Sequence, residues 1–423
     1  MRYNNIIYNK NNLILRKGEI VNIIVQKFGG TSVSTDERRK MAVSKVIDAI
    51  EQGFNVVVVV SAIGRSGDPY ATDTLIKLAK DANNQTDKRE LDILMSCGEI
   101  ISSVIFANSL KNLGYKAKAF TGGQAGIITN NNFGSADILR VDVSNILEAL
   151  SNNIIPVVAG FQGITEDGDI TTLGRGGSDT TAAILGEALK AYAVEIYTDV
   201  DGIMTADPRI VSNAHILKKI SYNEVFQFAE EGAKVIHPRA VEIAMRGNVP
   251  LVIKNTMSDS QGTVITQYNN AYNNIYDVNN LVTGIASMNN RIQIILEEIP
   301  DNSEDIFEKI AQEKISIDLI NIFPDKKVFT INEDDFHKLK QLFEQNNIIY
   351  SYRENCSKIS IIGNRIRGVP GVMSRIIKAL SKHGIEIFQT SDSHNTISCL
   401  ISQDKSEDAI RLLHEEFKLD KYN

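Results

Sequence analysis

Residues 56–60 are five consecutive valines. A strand with one face in water alternates apolar and polar residues. An unbroken β-branched run instead suits a strand covered on both faces, as in a parallel sheet between helical layers. Comparable runs recur at 23–26, 117–120, 154–159, 194–198 and 250–253. Between them lie segments with apolar residues at helical spacing, 36–52, 100–113, 136–150 and 179–190. This alternation predicts an α/β fold, a three-layer αβα sandwich around a mainly parallel sheet. Ligands in such sheets bind beyond the carboxyl ends of the strands, so the strand-end loops are the places to search.

A chain of 423 residues has room for about two or three domains. The net charge of −7 comes without any basic block, which argues against a nucleic-acid partner. Cys97, Cys356 and Cys399 are too scattered for a metal knuckle or a disulfide framework, as expected in a reducing cytoplasm. No apolar run reaches the roughly eighteen residues of a membrane span. Residues 1–21 are polar and Asn-rich, with apolar pairs too short for a signal-peptide core, and read as an N-terminal extension.

Five loops concentrate polar and glycine residues. The first, Lys27-Phe28-Gly29-Gly30-Thr31-Ser32-Val33, joins a strand to a helix. Glycines there let backbone approach a ligand, N–H groups at a helix start favour an anion, and the lysine adds a point charge suited to phosphate. A Walker loop puts its glycines first and Lys-Ser/Thr last, so this lysine-first stretch is not one; taken alone it also reads as a tight turn. The second, Ser61-Ala62-Ile63-Gly64-Arg65, follows the valines. The third, Ser96-Cys97-Gly98-Glu99, is expected at the start of a long helix, where the macrodipole favours the Glu99 carboxylate. Glu99 is then either a first-turn helix acid or a partner for a substrate ammonium.

In the fourth loop, residues 171–181, Gly174, Gly176 and Gly177 surround Arg175, and Ser178 or Asp179 is a good N-cap. Backbone N–H groups, a helix N-terminus and a guanidinium able to grip a carboxylate bidentately come together there. One loop holding an Arg and another holding a Glu would jointly recognise an α-amino acid. The fifth loop, residues 198–209, contains Asp199, Asp201 and Asp207. Asp-x-Asp-Gly resembles part of a calcium loop, but the rest of that pattern is missing. A turn wrapping a nucleotide base or lying near a Mg2+–phosphate fits as well, and Gly202 and Pro208 suit a rigid turn. His237, before Pro238, suits a helix start or a packing role.

Around residues 270–280 Asn and Tyr dominate and periodicity is lost, as in a linker. Beyond it, a βαββα order (291–296, 304–313, 316–322, 327–331, 335–346) recurs at 358–362, 372–383, 385–390, 396–401 and 407–416, which reads as an internal duplication.

Taken in order, Lys27–Val33, Ser61, Ser96–Glu99, Thr172–Thr181, Thr198–Arg209 and Ala233–Arg239 resemble the aspartate kinases of the amino-acid kinase superfamily, from about Asn22 to the C-terminus. Residues 64–73, Gly-Arg-Ser-Gly-Asp-Pro-Tyr-Ala-Thr-Asp, are similar to the diaminopimelate-regulated Firmicutes type. The resemblance implies a catalytic sandwich over 22–267, a linker over 268–280, and two ferredoxin-like βαββαβ ACT domains over 281–350 and 351–423. One ACT unit can be completed by strands from elsewhere in the tail. The implied reaction is phosphorylation of L-aspartate by ATP with Mg2+, the first step towards lysine, threonine, methionine and diaminopimelate, in the cytoplasm. The alternatives are a glutamate-type amino-acid kinase and a non-catalytic amino-acid-binding regulator.

The resemblance also implies residue roles. Lys27 would contact the ATP phosphates, with Gly29, Gly30 and Ser32 shaping their site and Asp179 orienting Lys27. Arg175 would hold the aspartate α-carboxylate and Glu99 its ammonium, with Ser61, Gly176, Gly177 and Ser178 as further substrate contacts. Thr198, Asp199, Met204, Arg209 and Lys234 would line the nucleotide pocket, although Met204 stands where many members carry Tyr. Arg367, Gly368, Val369, Pro370, Gly371, Val372 and Met373 would bind the effector, lysine or diaminopimelate, with threonine a further candidate. The first repeat has Pro300-Asp301-Asn302-Ser303 there and lacks the usual glycine. Homo-oligomers through the ACT domains are expected, and no resident metal site.

Overall fold

The computed structural model describes residues 14–16, 19–233, 235–267, 281–297, 303–364 and 366–421. Lys234, residues 300–302, the 268–280 linker and most of the N-terminal extension lie outside the described residues. The chain forms two compact units. One holds the described residues up to Ile203 with Ile216–Phe226 and Val235 to 267; the other holds Met204–His215, 227–233 and the described residues from 281 onward.

The first unit is built on an eight-stranded sheet in the order Lys219–Ser221, Thr263–Thr266, Leu251–Asn255, Ala193–Thr198, Ile23–Phe28, Asn55–Val60, Ile155–Ala159, Ala117–Phe120. All neighbours are parallel except Leu251–Asn255 with Thr263–Thr266. All five valines of the run are at most 2% exposed, and burial of each contributes about 1.5–3 kcal/mol. Helices Asp36–Glu51 and Lys88–Asn112 supply Val43, Val46, Phe106 and Leu110 to a core with Phe28, Val58 and Val60. The Lys88–Asn112 helix passes for a membrane span by length and composition, but half of its apolar window is buried inside the fold, as in a core helix.

Two sequence expectations fail here. Residues 136–150 form no single helix: a strand, Ile138–Val141, precedes a helix, Ser144–Ser151. Asp142 Oδ1 accepts the Ser144 N–H at 3.0 Å and so breaks the segment, while Ile127↔Val141 pairing draws the first half into a second, four-stranded sheet. Ser96–Glu99 do not start a helix either; they lie in the middle of Lys88–Asn112, so the macrodipole argument for Glu99 does not hold. Asp92, Ser96 and Glu99 put polar side chains on the buried face, which hid the helical stripe from the sequence.

The second unit contains a six-stranded antiparallel sheet in the order Asp318–Ile322, Lys326–Asn332, Val282–Glu297, Tyr350–Gly363, Thr396–Ser402, Gln389–Asp392. Helices Ser303–Gln312 and Phe336–Gln345 cover one apolar core, with Ile294, Phe329 and Phe343; Val372–Ser381 and Ser406–Glu416 cover another, with Ile361, Leu380 and Phe417. Val282 and Ile285, from the start of the long Val282–Glu297 strand, pack in the second core. Ala206 and Val211 pack there too.

Candidate active site

Four neighbouring parallel strands of the large sheet, Ala193–Thr198, Ile23–Phe28, Asn55–Val60 and Ile155–Ala159, end side by side. The chain leaves Ile23–Phe28 for one neighbour while the other neighbour, Ala193–Thr198, continues the sheet in the opposite sense, a switch point that leaves a crevice beyond the strand ends. The loops are pinned just past the ladders. Gly29 N–H donates to Tyr197 O (3.1 Å), Ser61 N–H to Phe28 O (3.1 Å), Gly160 N–H to Val60 O (3.0 Å) and Gly64 N–H to Gly30 O (3.2 Å). A Cβ at Gly30 would stand 2.7 Å from the Ala62 and Gly64 carbonyl oxygens, so the first and second loops can stack only on glycine.

Lys27, near the end of its strand, places Nζ 2.6 Å from Asp179 Oδ1, with side chains 11% and 14% exposed. Asp179 lies in the first turn of the Gly177–Ala188 helix. The sequence put the N-cap at Ser178 or Asp179; the cap is Gly176, at φ +67° and without a side-chain cap bond. Packing explains this. A Cβ at Gly176 would stand 2.2 Å from His237 Cγ, and one at Gly177 2.6 Å from the Phe161 ring. Ser178 is buried against Gly160, where a Cβ would meet Ser178 Oγ at 2.9 Å. Arg175 is exposed between Gly174 and Gly176 and has no ion-pair partner among the described residues.

Glu99 is 3% exposed. Burial pushes its pKa up to about 8, against the Ala62 backbone N–H and the Lys27 charge, which favour the ionised form. Its Oε2 is buried without a hydrogen-bond partner among the described residues. Gly98 makes this reach possible, since a Cβ there would stand 2.8 Å from Ala62 Cβ and the Tyr70 carbonyl. Lys27 thus has Asp179 on one side and Glu99 within electrostatic reach.

Ser32 is also in the crevice loop, but its hydroxyl is buried, 2.6 Å from Thr256 Oγ1 and 3.5 Å from the Tyr197 carbonyl. Its backbone is the part left to shape a phosphate site. Thr198 Oγ1 donates to Asp199 Oδ1 at 3.2 Å, and Asp199 pairs with Arg65 at 2.7 Å. Asp201 Oδ1 accepts from Asn255 Nδ2 and Ser258 Oγ. Met204 and Arg209 belong to the second unit, where Arg209 is paired with Asp207 at 2.6 Å. Each carboxylate of the calcium-like spacing is therefore committed within the fold. No group of three or more His, Cys, Asp and Glu side chains is placed to hold a metal among the described residues.

Sequence reasoning missed Phe161, while His237 stands at a helix start as expected. Phe161 adopts φ +69°, costly for a bulky side chain; Thr181 Oγ1 holds its N–H at 3.0 Å and the Leu173 N–H holds its carbonyl. The signal was the glycine after the 154–159 run. His237 is the N-cap of Pro238–Gly247, its Nδ1 accepting the Arg239 N–H, and burial lowers its pKa. In the second unit, Arg367, Gly368, Val369, Pro370 and Gly371 lead into the Val372–Ser381 helix, whose N-cap is Gly371 at φ +96°. Val372 is buried, Val369 and Met373 pack against the core, and exposed Arg367 lies 3.1 Å from Asp392.

The crevice lies at the switch point of an α/β sheet, and residues 22–255 match the amino acid kinase family, with residues 351–415 matching an ACT domain. Aspartokinase 1 of Bacillus subtilis (strain 168) is 44% identical over 405 residues, covering 94% of this chain and all of the relative. The aspartokinase of Geobacillus stearothermophilus is 40% identical, covering 94% and 97%. Among solved structures, E. coli aspartokinase III in complex with aspartate and ADP (R-state) superposes with a TM-score of 0.74 at 25% identity, covering 93% of this chain and 99% of that one. The chain belongs to the amino acid kinase family and, within it, to the aspartokinases.

Proposed function

We propose that the Lys27-Phe28-Gly29-Gly30 turn and the helix start at Gly176, Gly177, Ser178 and Asp179 form the two halves of the catalytic centre of an aspartate kinase. The chain transfers the terminal phosphoryl group of ATP to the side-chain carboxylate of L-aspartate, the first step of aspartate-derived amino-acid biosynthesis. That carboxylate has a reference pKa of about 3.9 and is ionised at neutral pH, so no residue need remove a proton. Positioning and charge neutralisation carry the reaction.

Lys27 is assigned to the ATP phosphates and Asp179 to orienting it; the observation that carries this reading is their 2.6 Å ion pair at the mouth of the crevice. Gly29, Gly30 and the Ser32 backbone shape the phosphate site. Arg175 takes the aspartate α-carboxylate and Glu99 its ammonium, while Ser61, Gly176, Gly177 and Ser178 complete the substrate site. Thr198, Asp199, Met204, Arg209 and Lys234 are assigned to the nucleotide. Bound Mg2+ would supply charge neutralisation at the ATP phosphates, from which it would draw most of its ligands, while Asp199 is held by Arg65. Arg175→Ala is expected to raise the aspartate KM while kcat falls less, and an unchanged KM removes Arg175 from the substrate site. A coupled ADP-release assay with aspartate against glutamate tests the substrate.

The effector reading rests on the 367–373 loop, where the Gly371-capped helix start offers N–H groups to a carboxylate. E. coli aspartokinase III has been solved with lysine and aspartate in a T-state. Lysine or diaminopimelate, with threonine as a further candidate, would inhibit by differential affinity for an inactive state of a homo-oligomer joined through ACT domains at 281–350 and 351–423. An inhibition panel of the three amino acids checks this, and no effect from any of them rejects it. The cytoplasm is the compartment that fits three free cysteines.

A further inference from the structure

Asp92 is fully buried on the Lys88–Asn112 helix, seven residues before Glu99. Its carboxylate accepts three hydrogen bonds, all from the segments that flank Arg175. Oδ2 takes the Thr172 N–H at 2.8 Å and the Gly134 N–H at 2.9 Å, and Oδ1 takes the Thr172 hydroxyl at 2.7 Å. The two segments are joined, since Ala136 N–H donates to Thr172 O at 2.9 Å and a Cβ on Gly174 would stand 3.3 Å from Ser135 Oγ. From the other side Arg239 reaches Leu173 O at 3.1 Å and Ala136 O at 3.2 Å. Gly174 and Arg175 leave this clamp directly.

A buried carboxylate is tolerated only when its hydrogen bonds are made, so these three bonds hold the loop firmly. Seven residues of helix rise about 10.5 Å and return to nearly the same face. One rigid helix therefore carries both Glu99 and the anchor of the Arg175 loop. We propose that Asp92 is a positioning residue that sets the spacing between the Glu99 carboxylate and the Arg175 guanidinium, so that the ammonium and α-carboxylate of one amino acid, both on one carbon, are gripped together. This rests on the reading that Glu99 and Arg175 take those two groups.

The test is steady-state kinetics of the full-length enzyme. Asp92→Ala is expected to raise the aspartate KM about tenfold or more, with the ATP KM unchanged and kcat at saturating aspartate little altered. Asp92→Asn keeps one oxygen for the two N–H groups and offers its amide to the Thr172 hydroxyl, so it should restore a near-parental KM. If Asp92→Ala does not fold, Thr172→Val, at a buried position, removes one bond and should raise the aspartate KM by a smaller factor. Loss of stability or kcat with an unaltered aspartate KM overturns the proposal. In an Arg175→Ala background, either substitution should add nothing to the KM; additive effects mean that Asp92 does not act through Arg175 and overturn the proposal. An unchanged KM in Arg175→Ala alone overturns the substrate reading itself, and the positioning role with it.

Discussion

The Glu99 carboxylate accepts the backbone N–H of Ala62 and keeps Oε2 buried without a partner among the described residues. The Lys27 charge lies within electrostatic reach of this carboxylate, and in the proposed function Oε2 is the acceptor assigned to the substrate ammonium.

Glu99 makes stability and affinity respond to pH in opposite senses. Burial holds its pKa at about 8 rather than 4.5, so the folded enzyme keeps a proton that the unfolded chain releases between those values. This contribution to stability is complete below the unfolded value and is lost as pH rises through about 8. Glu99→Gln, neutral throughout, should gain Tm relative to the parent as pH rises from about 6 to 9. The parental aspartate KM should fall over the same range and that of Glu99→Gln should not; parallel profiles in thermal scans and kinetics reject this.

Lys27→Ala should lower kcat by about 10²–10³-fold, as for loss of a cation that stabilises developing charge, and leave the aspartate KM nearly unchanged. Asp179→Asn should lower kcat in the same direction but less, because Lys27 keeps its charge and loses its orientation. Single-turnover assays check both, and a raised aspartate KM with kcat intact would remove Lys27 from the phosphoryl group.

Gly176→Ala meets two obstacles, φ of +67° and a Cβ 2.2 Å from His237 Cγ. The strained backbone alone costs about 1–3 kcal/mol. A lower Tm together with a higher aspartate KM is expected, since the helix start that follows Arg175 must shift. Full activity in the alanine variant would show that the loop relaxes without consequence.

In the second unit, buried Lys358 pairs with Glu231 at 2.8 Å and Asp318 at 2.6 Å, and Ser360 Oγ donates to Glu231 Oε2 at 2.6 Å. Lys358→Met leaves Glu231 charged and buried, at a cost of about 3–5 kcal/mol. The double variant Lys358→Met/Glu231→Leu should recover much of that loss, measurable by denaturant melts. A single variant as stable as the parent would mean that water or another cation reaches Glu231.

Much of the frame could be read in the chain because its central strands are covered on both faces and show unbroken β-branched runs. The strand-end rule led to Lys27, Asp199 and Arg175, whereas one of the five expected loops, Ser96–Glu99, lies inside the Lys88–Asn112 helix. The short strands of the four-stranded sheet escaped notice, since three or four residues carry little periodicity and Ile138–Val141 also fits a helix. Glu99 was chosen for the wrong local reason: it is a mid-helix residue whose acidity is altered by burial, not by a helix end.

By itself the sequence determined the alternation of strands and helices, the places where backbone must come close, and the residue types able to bind phosphate, ammonium and carboxylate. These are properties of consecutive residues: β-branching, glycine and charge act through the local chain. Only the tertiary structure decided which of them meet. The Lys27–Asp179 pair spans 152 positions and the Asp92–Thr172 clamp spans 80. Such contacts follow from strand order in the sheet and from the depth at which a helix packs, and no local pattern encodes either.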